Sequence, residues 1–401
     1  MQRLLTAILA CLSMVGPLAI DTYLPSIPAI GQEFGVGAVA VQQTLSVFLF
    51  TFAFMMLFYG TLSDSFGRRP VILVALAVYV GASAGAVLAP SFGWLLVCRA
   101  LQGLSAGAGS VVGQAIVQDR FNGADAQRVM SHILMVFGLA PAIAPVLGGW
   151  LHVTFGWRAT FVFLSLFALL MMLVVWKLLP ESLPREKRHA FHGMAILANY
   201  GKVLRHPQFL LLSLSVGLAF AGIAIYIGAA ANFVMEILGL PETAFGWMFF
   251  PLVGGMVAGS AWGGKRATKV PPARLRRIGY GLMALACVAN LGYAAAVSDR
   301  VAVPWAVLPL MVFTFGLTVA MPAIQVTALG LFPHNRGLAS SLLSFIQMMS
   351  FALVSGLVTP LLFGSATRLA AGLAVMVAAS FVASLLAGAV ERKVDGSATA
   401  A

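Results

Sequence analysis

The chain has 401 residues, of which 61% are hydrophobic and only 9% charged, with a formal net charge of +12 and a mean hydropathy of +0.98. Soluble domains carry roughly 25% charged residues, and a water-soluble fold of this size cannot keep so much apolar surface from water, so the composition excludes a soluble globular protein and points to a membrane. The basic balance does not indicate a nucleic-acid binder, because the cations fall in short clusters between apolar runs, as topology signals do.

A spanning helix needs about 20 mostly apolar residues. Such segments run, in chain order, over residues 4–24, 41–60, 71–88, 94–117, 129–150 and 159–179, then, after a polar stretch at 180–207, over 208–233, 243–263, 278–297, 303–331, 338–363 and 369–390. Arg3 ahead of the first run gives it the look of a signal peptide, but the run continues through Val15, Gly16 and Pro17 to Ile20 without a convincing small-x-small cleavage site, so it is read as a retained helix. The expectation is an all-α membrane protein of twelve transmembrane helices in two six-helix bundles, residues 1–180 and 208–401, joined by a cytoplasmic linker at 181–207. Near-equal halves indicate an internal duplication. Cys11, Cys98 and Cys287 lie far apart inside apolar runs, with neither metal-ligand spacing nor a disulfide framework. No metal is expected.

Lys and Arg set the orientation. With loops numbered alternately, Arg158, Arg300 and Arg368 fall on one side, Arg99 falls within the fourth segment, and the remaining twenty of the 24 cations fall on the other side. Both termini are therefore expected in the cytoplasm. Of the 12 acids, only Asp21 lies within an apolar segment.

In the first segment Asp21 stands a few residues before Pro25 and Pro28, near the outer end. In the fourth, Arg99 stands about as far from its outer start. At 1.5 Å of rise per residue both sit roughly 6–10 Å below the outer surface, and they can meet if the two helices are neighbours. Ionisable groups in the bilayer are costly and mark ion or substrate pathways. A carboxyl there takes up or gives off a proton when its hydration or its nearest cation changes. The structural alternative is a permanent Asp21–Arg99 pair, or an Asp21 bonded to backbone that Gly16, Pro17 and Pro25 free.

Between the second and third segments stands Gly60-Thr61-Leu62-Ser63-Asp64-Ser65-Phe66-Gly67-Arg68-Arg69-Pro70. Gly60 permits close helix approach and Gly67 a tight turn, Asp64 can cap a helix or pair with a cation, and Arg68 and Arg69 hold the loop inside. This stretch resembles the G-x-L-[SA]-D-x-x-G-R-[RK] signature of the major facilitator superfamily, with Ser65 where an Arg is common. That departure leaves Asp64 in need of another cation, for which Arg120 or Arg128 of the next inside loop is placed. Arg99-Ala100-Leu101-Gln102-Gly103 resembles the R-x-x-Q-G motif of proton-coupled members, which implicates Arg99 in proton transfer. The fifth segment, with Gly138, Pro141, Pro145, Gly148 and Gly149, is similar to the antiporter motif G-P-x-x-G-G, Ala144 replacing its first Gly. Pro17-Leu18-Ala19-Ile20-Asp21-Thr22-Tyr23-Leu24-Pro25, with Gln43-Thr44-Leu45-Ser46, resembles the bicyclomycin/chloramphenicol-resistance (Bcr/CflA) subfamily of drug:proton antiporters. The second-half counterpart of the loop signature, residues 259–266, is degenerate.

Polar side chains that can line a cavity are Tyr23, Gln43, Gln102, Tyr226, Asn232, Gln325 and Gln347, since polar groups in bilayer helices face protein or water. No nucleotide-binding loop of the G-x-x-x-x-G-K-[ST] type, no H-E-x-x-H motif and no paired-carboxylate site occurs, so neither ATP nor an enzyme reaction is expected. The resemblance implies proton-coupled efflux of small hydrophobic compounds, antibiotics among them, across a bacterial inner membrane by alternating access. The working unit is expected to be a monomer, with no cofactor beyond the proton gradient. The rival readings are a proton-coupled metabolite transporter and a non-transporting receptor or scaffold. A single embedded acid, Asp21, implies at most one carboxylate-borne proton per cycle.

Overall fold

The computed structural model describes residues 2–188, 200–266, 269–333 and 336–398, and residues 189–199 of the expected linker lie outside the described residues. Among the described residues, twelve helices are long and apolar enough to cross a membrane. They are α1 (Arg3–Phe34), α2 (Ala38–Phe66), α3 (Arg68–Val87), α4 (Phe92–Arg120), α5 (Asp125–Phe155), α6 (Arg158–Leu178), α7 (Pro207–Gly228), α8 (Glu242–Arg266), α9 (Pro272–Ala296), α10 (Leu308–Gly330), α11 (Arg336–Leu362) and α12 (Ala366–Val390). Among the described residues there is no strand. The helices satisfy their own backbone polar groups, which a bilayer interior requires, and they carry apolar side chains all round. Val74, Leu170, Val288 and Val326 are all largely exposed, an arrangement that lipid accepts and water does not.

Backbone contacts divide the chain into two units. One comprises Met1–Phe191 with Leu240–Phe249, the other His192–Gly239 with Phe250–Ala401. In the first, α3 packs on α6 and α4, and α2 on α4. In the second, α9 packs on α10 and α12, and α7 on α12 and α11.

The structure departs from the apolar segmentation at three places. The first span does not stop at residue 24 but continues through a 3-10 turn, Leu24–Ser26, into a helix Ile27–Phe34. The reason is local: proline is at home in the first turn of a helix, so Pro25 and Pro28 restart the helix rather than end the span. The tenth span opens only at Leu308, because Pro304 sits in an irregular stretch. After α7 the chain turns at Ala229 and winds as a π-helix over Asn232–Ile237. Cys11, Cys98 and Cys287 are all free.

Two clamps close helix ends. Arg158, at the start of α6, pairs with Glu33 at 2.6 Å and donates to the Val87 carbonyl that ends α3, at 3.1 Å. In the second unit Asp299 acts as a borrowed cap for α12. One of its oxygens accepts the Thr367 N–H at 2.7 Å and the Thr367 hydroxyl at 2.6 Å, and the other accepts the Ser365 hydroxyl at 2.8 Å. These bonds, the Thr367 hydroxyl first, hold the Asp299 carboxyl below its ordinary value of 3.8. A carboxyl held low stabilises the fold above its unfolded value, and that contribution disappears as pH falls through the folded value. Asp299→Ala is therefore expected to lower stability by roughly 0.5–1 kcal/mol at neutral pH, the lower part of the range for a lost cap because the site is solvated. The difference between variant and wild type should shrink to nothing well below pH 3.8. Unfolding of both proteins measured across pH checks this, and a difference that persists in acid would contradict it.

Candidate functional site

Asp21 ends a helix because a proline stands four residues beyond it. Pro25 has no N–H to give to the Asp21 carbonyl, so the short helix Val15–Asp21 stops there, as proline dictates. Pro17 does the same one turn earlier, where the first helical stretch, Gln2–Ser13, gives way at Met14. The span is thus broken on both sides of a seven-residue helix. Backbone groups freed by such an interruption at membrane depth are tolerated only where protein buries them or water reaches them.

Arg99 fills the space beside this break. It is fully buried. Its Nη1 donates to the Ala19 carbonyl at 3.2 Å and to Gln102 Oε1 at 3.0 Å, and its Nε donates to the Thr44 carbonyl at 3.3 Å. The guanidinium lies 4.5 Å from the ring centroids of both Tyr23 and Phe48, and 6.0 Å from that of Phe161. Gln102 passes the connection to Ser83 in α3 at 2.8 Å, and the Tyr23 hydroxyl bonds to Thr44 Oγ1. One cation therefore joins α1, α2, α3, α4 and α6. The planar guanidinium stacks on rings and donates in fixed directions, which an ammonium cannot imitate. Arg99→Lys is expected to destabilise the protein by roughly 2–3 kcal/mol, the cost of a lost hydrogen bond to a charged group. Thermal unfolding in detergent reads this out, and an unchanged midpoint would refute it.

Asp21 and Arg99 do not pair. Among the described residues Asp21 makes no side-chain hydrogen bond and no ion pair, although it is only 3% exposed. The two helices are neighbours, as equal depth allowed, but the guanidinium takes the backbone carbonyl of Ala19 instead. Near Asp21 two more buried oxygens, Thr22 Oγ1 and Ser26 Oγ, lack hydrogen-bond partners among the described residues. Buried polar groups are nearly always bonded, so three bare ones at one break are unusual.

The fifth helix explains how the break is held. α5 stays helical through Pro141 and Pro145. A Cβ on Gly148 would collide with the Thr22 carbonyl oxygen and carbon. A Cβ on Gly149 would likewise collide with the Glu242 carbonyl oxygen, in the opening residues of α8 that belong to the first unit. Gly138 differs, since nothing lies within 4 Å of where its Cβ would stand. The same is true of Gly60, so the close helix approach expected there is corrected: both glycines face open space from half-buried positions.

Of the polar residues expected to line a cavity, Tyr23 and Gln102 are wholly buried in the Arg99 cluster. Tyr226 is buried too, its hydroxyl accepting from Asn290 Nδ2 at 2.6 Å. Asn232 bonds Glu236 and accepts the Gly364 N–H at 3.1 Å. Gln43, Gln325 and Gln347 are half-buried, and Gln43 Nε2 reaches back to the Val39 carbonyl at 3.5 Å.

The loop between α2 and α3 is held by carboxylates. Arg68 pairs with Asp64 at 2.5 Å and with Asp119 at 3.1 Å. Asp64 thus takes its cation from one turn away, not from Arg120 or Arg128. Arg120 donates to the Glu181 carbonyl at 2.7 Å, and Arg128 pairs with Asp125 at 3.6 Å. The four-residue spacing puts Arg68 beside Asp64 across the turn, closer than any residue of the next loop. Gly67 has φ +99, which side chains rarely adopt, and a Cβ there would strike Glu181 and Arg188. Glu181 itself caps α3: its two oxygens accept the N–H groups of Arg68 at 3.1 Å and Arg69 at 3.2 Å. Arg69 also donates to the Trp176 carbonyl.

The sequence model of the Major Facilitator Superfamily matches residues 9–355. The chain belongs to that superfamily. Among its relatives, the bicyclomycin resistance protein homolog of Haemophilus influenzae is 30% identical over 360 residues, 87% of each chain. Multidrug resistance protein D of Escherichia coli is 27% identical over 358 residues, 88% of each. The crystal structure of the human organic anion transporter MFSD10 superposes with a TM-score of 0.70 at 19% identity, covering 96% of this chain and 99% of that one. The fold is that of a transporter superfamily, and the protein is a multi-pass membrane protein.

Within this superfamily fold, four participants escape a reading of the sequence. Phe48 and Phe161 look like ordinary lipid-facing residues until Arg99 is seen between them. Ser83 is a lone hydroxyl in an apolar run, and its partner Gln102 is the only signal it offers. Glu181 is legible only as the first acid after α6.

Proposed function

We propose that the protein exports small hydrophobic compounds, antibiotics included, in exchange for protons, across a bacterial inner membrane with both termini in the cytoplasm. The observation that carries this reading is the buried Asp21 carboxyl, without a partner among the described residues, at a helix break. The relatives named for bicyclomycin and multidrug resistance support the choice of substrate class. Opened to the outside, Asp21 takes a proton and substrate leaves. Opened to the inside, it gives the proton up and substrate binds again. Arg99 is bonded to Ala19, two residues away on the same helix, and keeps that helix in register while Asp21 cycles. The proton gradient supplies the energy, no cofactor is used, and one chain is the working unit. One carboxyl carries one proton, so export of a neutral drug is electrogenic and export of a monovalent cation is electroneutral.

The test uses everted membrane vesicles, acidified inside and monitored with a pH-sensitive dye. Bicyclomycin, chloramphenicol and a set of lipophilic cations are added in turn. Proton escape on addition of a drug supports antiport. No response across the panel, in vesicles shown to contain the protein, would overturn the reading in favour of another transported class.

A further inference from the structure

The two matching loops of the halves solve the same problem differently. At the α2–α3 turn Arg68 pairs with Asp64 and Asp119, and Glu181 accepts the backbone N–H groups of Arg68 and Arg69. At the facing ends of α8 and α9 and in the turn between them stand Lys265, Arg266, Lys269, Arg274, Arg276 and Arg277, and the sequence has no acid between Glu242 and Asp299. Among the described residues none of these six side chains makes an ion pair or a hydrogen bond, and Arg266 merely lies over the Trp262 ring at 4.2 Å. Six clustered like charges repel one another unless an anion is supplied.

A groove begins at this cluster. It lies between α9 and α12, has a volume of about 480 Å³, and is lined by Arg277, Tyr280, Gly281, Ala284, Ala378 and Phe381 among others. Small residues shape its floor. Tyr280 leans edge-on against Phe381 at 5.2 Å, and its hydroxyl is bonded inward to Ser215 at 2.7 Å and Ser380 at 2.8 Å. The trough beyond Arg277 therefore offers no unmet polar group from Tyr280. Val288, 71% exposed, marks its far end. The helical rise from Arg277 to Val288 is about 16 Å, close to half of the roughly 30 Å hydrocarbon core, which is the depth of one leaflet.

We propose that the Arg277 end of this groove, with Arg274 beside it, binds an anionic phospholipid: the phosphate rests on the two arginines and an acyl chain lies in the trough along α9 and α12. Basic pockets between transmembrane helices suit anionic headgroups, and each cation near the surface contributes about fivefold in affinity. The site lies on the face that carries most of the chain's cations.

The experiment uses the full chain, purified in detergent and stripped of lipid, with binding read by native mass spectrometry. The probes are phosphatidylglycerol and phosphatidylcholine of identical chains, and inorganic phosphate. Phosphatidylglycerol is expected to bind well above phosphatidylcholine, and Arg274→Gln with Arg277→Gln to weaken it by roughly 25-fold. Gly281→Leu, at a position where nothing lies within 4 Å of a new Cβ, fills the trough without disturbing the fold and should weaken binding as well. Its unfolding midpoint serves as the folding control. Equal binding of the two lipids would overturn the proposal. So would phosphatidylglycerol binding unaffected by Gly281→Leu, or inorganic phosphate binding as strongly as the lipid.

Discussion

Asp21→Asn is expected to reduce drug-induced proton release to the level of vesicles that lack the protein. The amide keeps the size and shape of the side chain but cannot carry a proton across. Asp21 has no hydrogen-bond or ionic partner among the described residues, so the substitution breaks no contact. The amide also brings no charge to desolvate, and an unpaired buried charge is the costlier group. The unfolding midpoint of the variant should therefore equal or exceed that of the wild type, which separates loss of coupling from loss of fold. Downhill, proton-independent movement of drug should persist, because the Arg99 cluster that positions α1 remains intact. Proton release retained in the variant would remove Asp21 from the coupling step.

Gly148→Ala should come second in effect. The added carbon would meet backbone, the carbonyl of Thr22, and no rotamer change can relieve a collision between two main chains. Either the short helix ending at Asp21 or the middle of α5 must move. Overpacking of this kind costs roughly 1–3 kcal/mol, and a displacement on the order of 1 Å at a positioned group lowers turnover by about a hundredfold. The variant is expected to insert and fold with a lowered midpoint and to transport on the order of a hundredfold more slowly. Gly138→Ala on the same helix provides the contrast. Nothing lies near its Cβ, and alanine favours a helix over glycine by about 1 kcal/mol, so it should transport normally. Gly148→Ala with wild-type transport would show that this contact does not hold the break.

The spans were legible because hydropathy is a one-dimensional signal and a bilayer reads it that way. The alternation of cations added an orientation, and the loop signature and Asp21 stood out because each breaks the pattern around it. Rotation about a helix axis is not encoded so plainly. Equal depth placed Asp21 and Arg99 within reach, yet the guanidinium turns to Ala19 and the rings of Tyr23 and Phe48. A difference of about a hundred degrees per residue around α1 separates the two outcomes, and no residue count reveals it. The same limit hid the partner of Asp64 and the open space beside Gly60 and Gly138. Tyr23, Gln102 and Tyr226 were polar residues in apolar runs, and each is engaged within the packed helices.

The Glu181 cap has a consequence for biogenesis. The amides of Arg68 and Arg69 that it satisfies lie 113 and 112 residues upstream of it. At roughly 5–20 residues per second of synthesis, α3 enters the membrane on the order of ten seconds before its cap exists. Until then the start of α3 must borrow water or headgroups for those amides. The first half thus cannot complete its tertiary contacts helix by helix as it emerges: its final locking step waits for α6 to leave the ribosome, and a nascent chain halted before residue 181 should remain open to proteolysis at the α2–α3 turn.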